Sequence, residues 1–346
     1  ISGLEITEGL LHIDGLHTSG SSMVIDMVVT GSTADAAIVL ARPPMKIAGI
    51  LVPGAAPLGG VITARTQLTM PVPVVESSQV KFAIAVNMRE FSMEDPEGQF
   101  AISQGALTLR ADANSAVISG DVEINGVPMQ IELSHGFTPG TGANNRLSVR
   151  GVVSDAQRDA LGIGTGAMVL GPMGVSAVIE AADWTVRRAR VALDLSQAAL
   201  VFPVRSWGKP AGMAATGSFD LVRNQTGAFE IPTFSIEAPT VVASGAFVYD
   251  PAVGATGTAV VNQIPLGFSW APGAAENAGP GGARITLNAV LDDAARDVLG
   301  VSTGSWLTGP VAAAAEVQTV GGQPTVMVVS LNLREAAVGV AGLTWS

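Results

Sequence analysis

The sequence predicts a mainly β protein, an elongated repetitive antiparallel array with one short helix in each repeat of about 138 residues. Two observations lead there. Short segments with strict apolar/polar alternation recur about every ten residues, punctuated by Gly, Asn and Pro. A nineteen-residue stretch is also written twice: Ser154 to Pro172 returns as Asp292 to Pro310, a spacing of 138, with ten of nineteen positions identical.

Taken in order, residues 1–70 form a preceding β segment. Asp14-Gly15, Ser19-Gly20-Ser21, Pro43-Pro44 and Pro53-Gly54 mark its turns. Ser22–Thr30 and Ala36–Ala41 are of strand length, and no helical cap is evident beside them. Residues 71–208 form the first repeat unit. Val80, Phe82, Ile84, Val86 and Met88 alternate with Lys81, Asn87 and small residues, so one face meets apolar surroundings and the other meets water. Leu107-Thr108-Leu109-Arg110 follows the same rule, as do Val127, Met129, Ile131 and Leu133 set against Gln130 and Glu132. The duplicated motif predicts a short helix. Ser154 and Gln157 make a capping-box pair, Gly162 supplies a stop, and Asp155 and Arg158 can pair at i, i+3. Two turns cannot stand alone in water, so Leu161 and Leu299 are expected to anchor the helices on the sheet. Residues 209–346 form the second unit, truncated at its C-terminal end. There Leu266, Phe268 and Trp270 repeat the alternation, and Val329–Trp345 matches Val191–Trp207. The opening at Ile1 and the stop at Ser346 are expected to be cuts through a longer array.

Composition excludes several function classes. Hydrophobic residues at 48%, charged residues at 14% and a mean hydropathy of +0.42 exclude a disordered polymer. Two explanations of that hydropathy stay open: apolar surface that serves a ligand, or abundant Ala and Gly that bury little area each. A net charge of −11 leaves no basic footprint for nucleic acid, nor for electrostatic docking on an anionic membrane. The absence of cysteine removes disulfides, thiolate chemistry and Cys-based zinc sites. No apolar run approaches the roughly 18–20 residues of a transmembrane helix.

Catalytic signals are weak throughout. Gly162-Ile163-Gly164-Thr165-Gly166 follows a helix, whereas a dinucleotide loop precedes one, and the second copy replaces Gly164 by Ser302. Ser206-Trp207-Gly208-Lys209 fits a Ser-x-x-Lys pattern but lies after a Pro203-broken strand. His12, His17 and His135 have no close metal-ligand spacing, and Asp155 and Asp159 suit capping and dipole roles. Neither enzyme activity, nor a cofactor, nor a metal is expected.

The repeated residues carry a resemblance. Asp155-Ala156, Arg158 and Leu161-Gly162 lead to Asp194-Leu195, Ala198, Leu200, Trp207 and Lys209-Pro210-Ala211-Gly212, with Ile124-Asn125-Gly126-Val127-Pro128 upstream. This pattern resembles the AsmA-like superfamily, and within it the large YhdP-type proteins of Gram-negative bacteria. The resemblance spans most of the chain and rests on a repeat pattern, not a catalytic signature. It implies a long β-sheet curled into a trough, anchored in the inner membrane by an N-terminal helix that this sequence lacks. Such a trough crosses the periplasm and carries phospholipid acyl chains towards the outer membrane, with membrane proteins as partners at its ends. On that reading the candidate groove lining is Phe82, Ile84, Val86, Met88, Met129, Ile131, Leu133, Leu266, Phe268 and Trp270. Two alternatives stay open: a β-repeat scaffold of the cell envelope in which the same residues are closed core, and an enzyme using Ser206 and Lys209.

Overall fold

The computed structural model describes residues 3–15, 20–42, 57–72, 79–95, 98, 100–137, 144–161, 168–182, 185–201, 208–224, 227–250, 253–273, 282–320, 323–340 and 343–345. The protein is mainly β, with few helices. Eighteen strands belong to one antiparallel sheet that is not closed into a barrel. They are β1 (Leu4–Asp14), β2 (Ser22–Ser32), β3 (Leu58–Pro71), β4 (Lys81–Glu94), β5 (Ala101–Asp112), β6 (Ser115–Ile124), β7 (Val127–Gly136) and β8 (Asn145–Val153), then β10 (Met173–Ala182) and β11 (Thr185–Asp194). The series continues with β13 (Thr216–Arg223), β14 (Phe229–Glu237), β15 (Val242–Asp250), β16 (Gly254–Val261), β17 (Ile264–Pro272), β18 (Ala283–Leu291), β20 (Val311–Val320) and β21 (Gln323–Asn332). Outside it, β9 (Val169–Leu170) pairs with β12 (Ala199–Leu200), and β22 (Ala337–Val340) pairs with β19 (Leu307–Thr308) and β23 (Leu343–Trp345). The chain divides into two compact units, Ile1–Val152 with Ser176–Arg187, and Val153–Val175 with Arg188–Ser346.

In the first unit the predicted alternation of β4 holds. Phe82, Ile84, Val86 and Met88 are buried while Lys81, Ala83, Ala85 and Asn87 are exposed. Residues paired across antiparallel strands share a face, so the register extends that face over several strands. One row runs Met88–Leu107–Gly120–Ile131–Val149, and the next runs Val86–Leu109–Ile118–Leu133–Leu147.

One expected strand is a helix. Residues 36–41 were expected to be extended, but α1 spans Thr33–Leu40 and buries Ala36 and Leu40. The Ser32 hydroxyl accepts from the Asp35 N–H at 3.1 Å and caps it. The signal was present as Ser32-Thr33-Ala34-Asp35, a Ser-x-x-Asp capping pattern ahead of an apolar run.

The repeat is preserved to the level of hydrogen bonds. Val169 pairs with Leu200 in the first copy, and Leu307 pairs with Val338, each 138 residues on, in the second. The hairpin β6–β7 turns at Asn125-Gly126 with φ of 49° and 76°, and β16–β17 turns at Asn262-Gln263 with φ of 47° and 70°. Both asparagines stitch a third strand: the Asn125 side-chain oxygen accepts from Ala101 N–H at 2.7 Å, and that of Asn262 accepts from Val242 N–H at 2.8 Å. Asparagine tolerates the left-handed region, whereas glutamine at Gln263 sits there at a cost that Gly126 avoids. Gln263→Gly is therefore expected to raise stability by about 1 kcal/mol in urea melts.

The duplicated motif forms α2 (Asp155–Ala160) and α3 (Asp293–Val298). Ser154 donates from both N–H and hydroxyl to Gln157 Oε1 at 2.9 Å, and Asp292 accepts from Ala295 N–H at 2.8 Å. Gly300 closes α3 with φ of 72°, whereas Gly162 lies outside the described residues. Leu161 and Leu299 are half-buried. The Asp/Arg pairs exceed the expected surface contact, because both guanidinium groups are buried. Arg158 pairs with Asp155 and donates to the carbonyls of Val153 (3.3 Å), Val169 (2.8 Å) and Gly171 (2.8 Å). Arg296 pairs with Asp293 and donates to Leu291 (2.9 Å), Leu307 (3.1 Å) and Gly309 (2.7 Å). The aspartates accept from the N–H of Gly171 (2.8 Å) and Gly309 (3.1 Å). Both glycines hold positive φ, 97° and 88°, which explains a repeated Gly-Pro at that point. Each motif is a buckle tying a two-turn helix to the return of the chain.

Candidate functional site

The second unit carries a face of the same design. Register places Phe247–Gly257–Phe268–Leu287–Ala315–Val329 in one row. Rows beside it run Tyr249–Ala255–Trp270–Ile285–Val317–Met327 and Gly245–Ala259–Leu266–Ala289–Ala313–Leu331. The Tyr249 hydroxyl and the Trp270 indole N–H are the two polar side-chain groups in these three rows. The opposite face carries Thr256, Ser269, Thr286 and Glu316 in one row, with Glu316 paired to Arg284 at 3.2 Å. Aromatic rings tile the apolar face: Phe247 meets Phe234 at 6.0 Å and Phe268 at 5.8 Å, and Tyr249 stacks on Trp270 at 6.2 Å. Gly257 makes this possible, since a Cβ there would lie 2.5 Å from the Phe247 Cβ.

Exposure separates the two units. In the first, Phe82, Ile84, Val86, Met88 and Met129 retain 3–9% of their surface and are core, while Ile131 and Leu133 are half-buried. In the second, Leu266, Phe268 and Trp270 are half-buried, and the face opens towards its last strands: Leu287 is 38% exposed, Val329 52% and Met327 64%. Such a surface offers contact area and few polar partners, which suits an apolar ligand. Sequence reasoning found Leu266, Phe268 and Trp270 and missed Phe247, Ile285, Leu287 and Val329. The alternation Arg284-Ile285-Thr286-Leu287-Asn288 was available as a signal.

One end of this face meets a core of Met173, Leu195, Leu200, Ala215 and Val241, against which Leu193 and Val261 pack. Lys209 belongs to the same region. Its backbone bridges Leu200 in both directions at 2.9 Å, and its buried ammonium donates to the carbonyls of Ala198 (2.6 Å), Pro210 (3.2 Å) and Ser196 (3.4 Å). A lysine with its three donors on carbonyls holds a loop in place and is not poised as a base. Ser206 and Trp207, the other half of the Ser-x-x-Lys pattern, lie outside the described residues, as does His17. Burial lowers the Lys209 pKa, partly offset by Asp194, while hydrogen bonds from Ser196, with a lesser contribution from Lys209, hold Asp194 below the usual carboxylate value. The unfolded chain then binds more protons between the folded Lys209 pKa and 10.5, so stability rises with pH across that window. The Asp194 contribution is present above 3.8 and is lost as pH falls through the folded value. A Lys209→Met variant is expected to lose the alkaline rise in a pH series of urea melts.

A cleft of about 780 Å³ lies over β15–β18, β20 and β21. Its lining takes in the whole row Gly245–Ala259–Leu266–Ala289–Ala313–Leu331 and neighbours of that row along each strand, among them the exposed Thr258, Asn288 and Ser330. No charged residue lines it. Elsewhere, His12 meets Asp14 at 2.9 Å in solvent, and His135 meets Asn145 at 2.6 Å beside the Phe137 ring. Among the described residues no group of His, Cys, Asp and Glu could hold a metal, and no helix is long and apolar enough to cross a membrane.

Comparison of the chain with protein-family models, curated proteins and solved structures finds no match.

Proposed function

We propose that this chain is a segment of a non-enzymatic lipid-transfer protein of the AsmA-like, YhdP-type design, shielding phospholipid acyl chains against an apolar sheet face in the periplasm. The observation that carries the reading is the half-open apolar face of the second unit, six strands wide and polar only at the Tyr249 hydroxyl and the Trp270 indole N–H. Each methylene moved from water onto such a surface gains about 0.8 kcal/mol. A surface with so few polar anchors holds a chain at many equivalent positions, as movement along it requires. Ile131, Leu133, Leu266, Phe268 and Trp270 are the lining residues of this reading, joined by Phe247, Leu287 and Val329. Phe82, Ile84, Val86, Met88 and Met129 are core residues of the first unit, on the same sheet face as Ile131 and Leu133. The inner-membrane anchor and partner proteins at either end belong to the same proposal and follow from the resemblance.

Native mass spectrometry with lipid extraction, on protein expressed in a Gram-negative periplasm, tests it. Phospholipid is expected to co-purify and to be lost from folded Ile131→Asp and Phe268→Asp variants. A folded protein that carries no lipid and takes up none when it is added favours a second reading, an envelope scaffold with filled faces. The closed core of the first unit, with Met88 at 3% exposure, is the observation on that side.

A further inference from the structure

We infer that the outer edge of β21 is a docking edge for one further antiparallel polypeptide strand of the β13 type, whether or not the apolar face carries lipid. The 138-residue offset superposes β21 on β11, and β11 is covered on its outer edge by β13, from Arg188 opposite Val222 to Asp194 opposite Thr216. Among the described residues β21 pairs with β20 alone. Its residues from Thr325 to Asn332 are exposed on both faces, and no charge occurs from Gln323 to Leu333. Native sheets guard a free edge with charges, bulges or proline. The edge strand β1 has such guards, with Glu5, Glu8 and Asp14 along it and a bulge between Ile6 and Glu8. On β21 the guards, Pro324 and a bulge at Thr325, lie at its first three residues, and Val326 to Asn332 carries none. An unguarded edge whose repeat counterpart is paired is built to be paired.

The counterpart also specifies the chemistry of the incoming strand. In β13, Gly217, Phe219 and Leu221 face Leu193, Val191 and Ala189, positions that become Leu331, Val329 and Met327 in β21. A small, aromatic, aliphatic alternation therefore fits the apolar side. On the other side Asp220 pairs with Arg188 and lies 3.8 Å from Arg190. Val326 and Val328 replace both arginines, so an acid at the Asp220 position would meet no cation. The strand received by β21 is uncharged there.

Hydrogen–deuterium exchange on the full chain tests this, with a peptide spanning residues 213–223 and carrying Asp220→Val. Alternate amides between Val326 and Asn332 are expected to exchange at least about tenfold more slowly with the peptide, and less so with its unmodified Asp220 form. A tethered version removes the association cost: residues 209–237, with Asp220→Val in the added copy, follow Ser346 at the repeat spacing. Unchanged exchange in β21 with both the peptide and the tether overturns the inference. So does protection that appears on β1, or a chain that sediments as a dimer through β21 and leaves the edge already covered.

Discussion

Arg158→Met is expected to destabilise the second unit by roughly 3 kcal/mol, and Arg296→Met by a similar amount. Each buried guanidinium satisfies three backbone carbonyls and one carboxylate. Methionine fills much of the volume and satisfies none of them, so three carbonyls at the helix–return junction lose their partners. Lysine is not a rescue, because one ammonium cannot reach acceptors spread around a planar fork. Asp155 and Asp293 are about half exposed, so water replaces much of what they lose when the arginine is removed. The loss is expected to be local first: exchange at residues 155–161 and 169–173 accelerates before the global melt shifts. If Arg158→Met leaves both the melt and local exchange unchanged, the buckle has no structural role.

The second large effect concerns the apolar face. Leu287→Asp and Val329→Asp place a carboxylate on open positions of it, where the protein tolerates the charge because both are exposed. A bound acyl chain does not tolerate it. Loss of contact with two methylenes, at about 0.8 kcal/mol each, weakens binding more than about tenfold. Thr286→Asp and Val328→Asp put the same charge on adjacent residues of the opposite face and are expected to leave acyl-chain binding unchanged. Equal losses in both pairs would mean that the substitutions act through folding or net charge, not through the face.

The alternation in Val80–Met88, the repeat offset and the capped helices could be read from sequence because each depends on neighbours a few residues apart or on self-similarity. Burial at Arg158 could not, since it depends on carbonyls of Val169 and Gly171 brought back by a return of the chain. Strand parity assigned Met88 and Phe268 to equivalent faces, yet one is core and the other half-open. What covers a face depends on distant chain, which a period of two does not encode. The helix α1 was missed because the apolar run Ala36–Ala41 outweighed a capping serine outside it.

The central claim is that acyl chains lie against the Phe268 face. A phospholipid with a photoreactive group at the end of one acyl chain, loaded onto the protein and irradiated, tests it by peptide mapping of the adducts. The account predicts adducts on Phe247, Phe268, Leu287 and Val329. Adducts confined to Thr258, Asn288 and Ser330 on the opposite face, or none from a protein shown to be folded, would contradict it.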